Sequence, residues 1–255
     1  MMIEFIDVRP EDPLLIAEIG SNWRKYANNG RCIKHALDQI YRVKEAGFNA
    51  VKFQMFTQVE LYGEDGGDMF SLPRSWIPVL FQEAKKNELE FLCSAFSLDG
   101  YKFVNQYVNW HKIACPENEM KDIIKYVKST LKPYIISIDK AGPIENPLIK
   151  RIELTCVSEY PAKIKDYRLD IGRGISDHTC SLTPAQIGPA LAWKCYEVHV
   201  DLLKPNDAEI NPPDNIVSIP FHVAKEYCKL AREVPLHVDN PHRRMNGFRP
   251  KPKRA

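Results

Sequence analysis

The sequence predicts an α/β chain whose eight parallel strands close into a barrel, trimmed of one or two outer helices. Two observations carry that expectation. Short apolar runs alternate with segments of helical period from about residue 14 to 232, and polar residues recur at the same, C-terminal, ends of those runs. The length, 255 residues, exceeds the commonest single-domain size and matches a barrel of this class.

The first strand is Leu14-Leu15-Ile16-Ala17-Glu18-Ile19-Gly20, an apolar run ending in a carboxylate and a glycine. Residues 31–46 then place Ile33, Ala36, Leu37, Ile40, Val43 and Ala46 at helical spacing, with Gly47 as the stop. The second strand runs from Ala50 to Phe56; its Lys52 and Gln54 share one face, which in a barrel points inward. A long connection with Gly63, Gly66 and Gly67 leads to a helix near 74–87. Strands three to eight follow as Glu90 to Phe96, Trp110 to Cys115, Pro133 to Ser137, Ile152 to Ser158, Arg173 to Ser176 and Cys195 to Val200. Helices are expected over 98–107, 119–130, 183–194 and 216–232. Two crossovers read as defective. Ile138 to Arg151 carries Gly142, Pro143 and Pro147, poor helix material, and Tyr160 to Gly172 is short. The expected architecture is thus a trimmed TIM (β/α)8 barrel over residues 1–236, followed by a basic tail, 237–255. No internal repeat and no second domain is marked.

With 44% apolar and 27% charged residues the chain has ordinary globular composition, and a net charge of +2 gives no case for general nucleic-acid binding. Arg243, Arg244, Arg249, Lys251, Lys253 and Arg254 crowd the tail, either as a solvated end or as an arm for an anionic ligand or partner subunit. Seven cysteines show no CxxC pair, so reduced thiols are expected rather than disulfides or a zinc finger. The N-terminus lacks the pattern of a signal peptide, and no apolar stretch approaches the ~18 residues of a membrane span. A cytoplasmic protein with no membrane partner is the expectation.

Chemistry in such barrels sits at the C-terminal ends of the strands. The polar residues there are Glu18, Asn22, Lys52, Gln54, Ser94, Ser97, Lys112, Glu117, Ser137, Ser158, Tyr160, Ser176, Asp177, His178, Glu197 and His199. They are expected to converge on one mouth. His178 and His199 lie on separate strands, where two imidazoles can hold one divalent metal and leave positions open for substrate. The plainer alternatives are a turn histidine and a core histidine; His35, His111, His222 and His237 are read as structural or surface residues. Lys52 and Lys112 sit among apolar neighbours. A buried, unpaired ammonium costs several kcal/mol, roughly, so each needs a carboxylate or phosphate partner.

Several segments together resemble the sialic acid synthase family, which condenses phosphoenolpyruvate with an N-acetylated amino sugar. They are Ala17-Glu18-Ile19-Gly20-Ser21-Asn22, Val51-Lys52-Phe53-Gln54, Lys112-Ile113-Ala114, Lys132 to Ser137, Tyr160-Pro161, Ile175-Ser176-Asp177-His178-Thr179 and Glu197-Val198-His199. The resemblance implies that His178 and His199 bind Mn2+ or Mg2+. It implies that Lys52, Ser94, Lys112, Ser137 and Ser176 hold the phosphate and carboxylate of phosphoenolpyruvate. Gln54, Glu117, Tyr160 and Asp207 would face the acceptor, with Ser158 beside the same pocket. Glu18, Glu117 and His199 would carry the catalysis, Glu18 as a base or partner of a metal-bound water. The acceptor would be an aldose, N-acetylmannosamine or a related amino sugar, and the product a sialic-acid-like 2-keto sugar acid plus phosphate. The family implies a homodimer.

The chain departs from that pattern in places. The family usually adds a C-terminal antifreeze-like domain that lends an arginine to the neighbouring subunit's sugar site; here Arg243, Arg244 or Arg249 is the nearest substitute. It commonly has serine where Cys115 stands, asparagine near Ser158, and Ser-Thr-Gly-Met where this chain reads Ser137-Ile138-Asp139-Lys140. The phosphate pocket is therefore expected to be altered. Two other readings stand beside the synthase: a Schiff-base aldolase using Lys52 or Lys112, and a degenerate barrel kept as a ligand-binding or regulatory protein.

Overall fold

The computed structural model describes residues 8–57, 59–60, 69–115, 119–140, 150–203 and 208–233. Glu117, Asp207, the 237–255 tail and most of the connection after the fifth strand lie outside them. Eight strands form one sheet: β1 Leu14–Gly20, β2 Ala50–Met55, β3 Glu90–Ala95, β4 His111–Ile113, β5 Tyr134–Ile138, β6 Arg151–Cys156, β7 Gly174–Asp177 and β8 Cys195–His199. Their order is β3-β2-β1-β8-β7-β6-β5-β4, with parallel ladders. β3 and β4, at the two ends of that order, lie side by side and close the barrel through side chains. Ser94 Oγ on β3 donates to the Lys112 carbonyl on β4 at 3.4 Å, and Tyr101 Oη donates to the same carbonyl at 2.8 Å.

Strand period two separates two cores. Leu14, Ile16, Ala50, Leu92, Trp110, Ile135, Ile152, Leu154 and Cys195 pack inside the barrel as an apolar floor. Leu15, Ala17, Ile19, Val51, Phe53, Ile113, Ile136 and Val198 face outward against the helices. Each fully buried aliphatic or aromatic chain contributes about 1.5–3 kcal/mol. One pleat above the floor the inward positions turn polar: Glu18, Lys52, Ser94, Lys112, Ser137, Ser176 and Glu197, all buried. Glu18 is in register with Lys52 on one side and His199 on the other, so the acid, the ammonium and the imidazole share a level.

The helices are α1 Asn29–Ala46, α2 Ile77–Lys86, α3 Leu98–Val104, α4 Lys121–Ser129, α5 Thr183–Ile187 and α6 Phe221–Arg232. Asn28 caps α1 by accepting from Arg31 N, and Gly47 ends it in the left-handed conformation, φ 96°. Ser97, expected at the mouth, instead caps α3 by accepting from Gly100 N. The β6–β7 connection carries only the 3-10 turn Ile164–Asp166, as its shortness predicts. Two helices fall short of their sequence pattern by five residues or more. α5 stops at Ile187 rather than 194, because Pro189 has no N–H to continue the ladder. The last helix begins at Phe221 rather than 216. Pro220 holds the preceding residue extended, and Ile219 pairs with Val200 as a bridge. Among the described residues no helix is long and apolar enough to cross a membrane.

Candidate active site

At the C-terminal mouth of the barrel lies a cavity of about 370 Å³. It is lined by Glu18, Lys52, Gln54, Lys112, Ser137, Ser158, Tyr160, Ser176, His178, Glu197 and His199, with Cys115, Cys156 and Asp214. Phe56, Phe70, Phe96, Pro213 and Ile216 complete an apolar wall.

The two lysines are paired inside the protein. Lys52 Nζ forms an ion pair with Glu18 and lies 3.6 Å from Glu197 Oε2; Lys112 Nζ lies 3.3 Å from Glu197 Oε1 and donates to Ser137 Oγ at 2.9 Å. Burial would lower the Lys52 ammonium, but Glu18 and Glu197 outweigh it and raise its pKa. Burial would likewise raise the Glu197 carboxyl, yet Lys112 and Lys52 hold it well below the usual carboxylate range. Ser176 Oγ donates to Glu197 Oε1 at 3.0 Å, while Glu197 Oε2 accepts no hydrogen bond. Glu18 is anchored at both oxygens. Gly20 N donates to Oε1 at 2.7 Å, and Gln54 Nε2 to Oε2 at 3.2 Å.

The imidazoles are placed by backbone contacts at the ends of β7 and β8. His178 Nδ1 faces the Val157 carbonyl at 2.6 Å and must donate to it, which leaves the lone pair on Nε2. Tyr167 Oη fixes that strand end, accepting from His178 N at 2.8 Å and donating to the Ser176 carbonyl at 3.2 Å. Burial, then the nearby His199, pushes the His178 imidazole down to about 3, so the ring stays neutral. Tyr160 stacks on it with centroids 4.3 Å apart and places its hydroxyl 3.3 Å from Nε2. The His178 and His199 rings are 5.3 Å apart. His199 Nδ1 is buried without a hydrogen bond, 3.6 Å from Asp214 Oδ1.

Most of the chain's length, residues 39–240, matches the family model described as the NeuB family. The chain belongs to the NeuB family. This NeuB-family chain is 25% identical to the pseudaminic acid synthase of Helicobacter pylori over 92% of its own length and 78% of that protein. Its fold is that of a sialic acid synthetase from Leptospira borgpetersenii solved with citrate. The TM-score is 0.76 at 18% identity, covering 99% of this chain and 92% of that one. A spore coat polysaccharide biosynthesis protein from Bacillus subtilis gives a TM-score of 0.71 at 23% identity, covering 90% and 71%. The family and the parallel barrel expected from the quoted segments are both present.

Of the predicted site residues, Glu18, Lys52, Gln54, Lys112, Ser137, Ser158, Tyr160, Ser176, His178 and His199 meet around the one cavity. Ser94 does not line it. That side chain lies fully buried beneath, accepting from Lys52 Nζ at 3.5 Å. Two other polar strand-end residues turn away from the mouth. Asp177 points outward, where Tyr227 Oη donates to Oδ2 at 3.0 Å, because it follows the inward Ser176 by one residue. Asn22 clamps the barrel rim through Nδ2, donating to the Val200 carbonyl and to Ser218 Oγ. Glu117 and Asp207 fall outside the described residues.

Two members were given no role from sequence. Glu197 stands between both ammonium groups, and its signal was the alternation Cys195-Glu197-His199, which puts all three on the inner face. Asp214 comes from a 3-10 turn past β8 and accepts from Ser21 N at 2.6 Å and Ser21 Oγ at 2.7 Å. A β-carbon on Gly20, whose φ is +52°, would clash with Asp214 Oδ2, so glycine is what lets that carboxylate approach.

Proposed function

We propose that this NeuB-family chain is a sugar acid synthase. It joins phosphoenolpyruvate to an aldose, N-acetylmannosamine or a related amino sugar, and releases phosphate from a 2-keto sugar acid. One observation carries the reading: two buried ammonium groups with hydroxyl partners border two imidazoles in a single cavity of a NeuB-family barrel. The names of its relatives, pseudaminic acid synthase and sialic acid synthetase, support the same class of product.

The donor set fits a divalent cation, Mn2+ or Mg2+. His178 offers Nε2 with its tautomer set by a backbone carbonyl, and His199 has a buried nitrogen with no hydrogen bond. Among the described residues no cluster of three or more His, Cys, Asp or Glu forms a ready cage, so the two imidazoles would hold the ion with positions left for water and substrate. Bound there, the ion would supply Lewis-acid polarisation of the acceptor carbonyl.

Charge balance supports its presence. Lys52 and Lys112 are already offset by Glu18 and Glu197, so the cluster is formally neutral. A multiply charged phosphate entering it is attracted by two ammonium groups and repelled by two carboxylates, each about 4 kcal/mol per unit charge at about 4 Å and an effective dielectric of about 20, so the protein charges give little net attraction. A divalent cation would supply one.

The chain's own groups then have defined tasks. Lys52, Lys112, Ser137 and Ser176 bind and orient the anion through donors. Carbon–carbon bond formation from C3 of phosphoenolpyruvate leaves positive charge at C2. Glu18 and Glu197, on one side of the cavity, stabilise that charge. Glu18, held at both oxygens, is also placed to orient the water that adds at C2 before phosphate departs. The Phe56 and Phe96 rings, 5.4 Å apart, form part of the cavity's apolar wall.

Phosphate release from phosphoenolpyruvate with Mn2+ and a panel of aldoses, N-acetylmannosamine and arabinose 5-phosphate among them, tests the proposal. Aldose-dependent release supports it. Binding of phosphoenolpyruvate with no release from any aldose favours the degenerate barrel, and borohydride trapping with pyruvate would mark a Schiff-base aldolase instead. The proposal includes a cytoplasmic setting, which keeps thiols reduced, and a homodimer readable by light scattering.

A further inference from the structure

A second cavity, of about 310 Å³, borders the same 3-10 turn that carries Asp214, Pro213–Val217. Asp214 lines the main cavity, and Asn215, the next residue, lines the second. Lys25, Asp201, Glu209, Ile210 and Asn211 line it too, and none of these reaches the main cavity. Its volume is at the small end of the ~300–1,000 Å³ usual for small-molecule pockets.

The walls are tied together. Glu209 N and Ile210 N both donate to the Lys25 carbonyl, at 2.9 and 3.1 Å, and Glu209 Oε2 accepts from Ala27 N at 2.9 Å. Asn215 Nδ2 donates to Asn211 Oδ1 at 2.8 Å. Lys25 and Asp201 form a buried ion pair, 4% and 1% exposed, with Nζ 2.9 Å from Oδ2. Lys25 Nζ also donates to Asn215 Oδ1 at 3.2 Å. Two groups are left over. Asp201 Oδ1 is buried and accepts no hydrogen bond, and the third ammonium hydrogen has no partner among the described residues.

We propose that this cavity binds a neutral sugar, one of whose hydroxyls bridges Lys25 and Asp201. Charge selects against an ionic ligand. Lys25 offsets Asp201, and Arg31 Nη1 pairs with Glu209 Oε1 at 2.6 Å, so the walls are formally neutral. An ion entering would shed its hydration for little net attraction. A hydroxyl, by contrast, is donor and acceptor at one oxygen. It donates to Asp201 Oδ1, recovering the loss of a buried acceptor left unmet, and accepts the third Lys25 hydrogen. Sugars carry hydroxyls on adjacent carbons, so a second one reaches Asn211, whose Nδ2 donates to no described residue. The half-buried Ile210 offers an apolar patch to the C–H groups of the ring. A trapped water is the competing occupant. It would make the same bridge, but its share of volume, about 30 Å³, leaves most of the cavity unfilled.

The full chain, titrated with D-glucose, D-galactose and D-mannose and followed by saturation-transfer NMR, tests the proposal. At least one sugar is expected to bind with a Kd on the order of 1 mM or tighter. Asn211 is exposed, so Asn211→Leu should fold normally and weaken that sugar on the order of tenfold or more. Lys25→Met combined with Asp201→Asn removes both charges of the pair together and should do the same. His199→Ala, altered only in the main cavity, should bind the sugar as the parent does. Glucosamine and glucuronate, the ammonium and carboxylate counterparts of glucose, should bind no tighter than glucose. Four results overturn the proposal: no sugar binding, binding that survives Asn211→Leu, binding lost in His199→Ala, or a charged counterpart on the order of tenfold tighter. The assay uses neither phosphoenolpyruvate nor turnover, so its outcome is independent of the synthase reading.

Discussion

Glu197→Gln removes one negative charge from between two buried ammonium groups and leaves the side-chain shape almost unchanged. Glu197 lies 3.3 Å from Lys112 Nζ and 3.6 Å from Lys52 Nζ, and its side chain is 4% exposed. At an effective dielectric of about 20, each pair has a gross attraction of about 5 kcal/mol. Desolvating the carboxylate returns several kcal/mol of that, roughly, so the net loss should match the 3–5 kcal/mol typical of breaking one partner of a buried pair. Urea unfolding at pH 7 reads this as a lower midpoint at an unchanged slope. A second readout separates charge from packing. Glutamine leaves the cluster with an uncompensated positive charge, so inorganic phosphate should raise the midpoint of the variant more than that of the parent. A loss below about 1 kcal/mol would mean that Glu197 is not what neutralises the lysines. Equal responses to phosphate would refute the charge balance on which the cation requirement rests.

Three further outcomes are expected. His199→Ala should abolish Mn2+ binding measured by calorimetry and leave the circular dichroism spectrum intact; retained Mn2+ affinity would remove that imidazole from the donor set. His111, fully buried with only Nε2 hydrogen-bonded, to Asn105 Oδ1 at 3.0 Å, is pushed by burial and then Lys132 down to about 4 from 6.5. Its folded pKa is depressed, so its stabilisation is complete above pH 6.5 and is lost as pH falls through 4, a span worth about 3 kcal/mol. His111→Gln should flatten the stability profile in that window, and an unchanged slope would contradict the burial argument. Gly20→Ala should cost about 1–3 kcal/mol by thermal unfolding, since φ is +52° and the new methyl meets Asp214; a neutral effect would show that the β1 turn relaxes freely.

Alternation along the strands made most of the barrel and much of the site legible. Lys52 with Gln54, and Glu197 with His199, each sit two residues apart, so one inward member fixes the other. The same rule turns Asp177 outward, although its place beside His178 in the quoted motif suggested the mouth. What periodicity cannot carry is contact between distant turns. Asp214 reaches His199 and Ser21 from a 3-10 turn with no repeating pattern, and Phe70 enters the wall from a loop. The two helices that fell furthest short are bounded by prolines, one stopped before Pro189 and the other begun only after Pro220, both visible in the sequence but outweighed there by apolar spacing.

The buried lysines show how far such reasoning reaches. From sequence alone, an ammonium among apolar neighbours demands an anion, and phosphate was one candidate. The structure meets that demand with Glu18 and Glu197, so the lysines by themselves no longer require an anionic substrate. What points beyond the protein is the uneven way in which the charges are satisfied. One carboxylate is shared by two ammonium groups, and its Oε2 accepts no hydrogen bond at 3.6 Å from Lys52. Two residues further along β8, His199 Nδ1 is buried with no hydrogen bond, 3.6 Å from the Asp214 carboxylate. Each such atom costs about 1–3 kcal/mol, which a bound partner can recover. A cation on the imidazoles would meet the His199 nitrogen and offset the repulsion that Glu18 and Glu197 present to an anion at the lysines, so the two ions are expected to bind together.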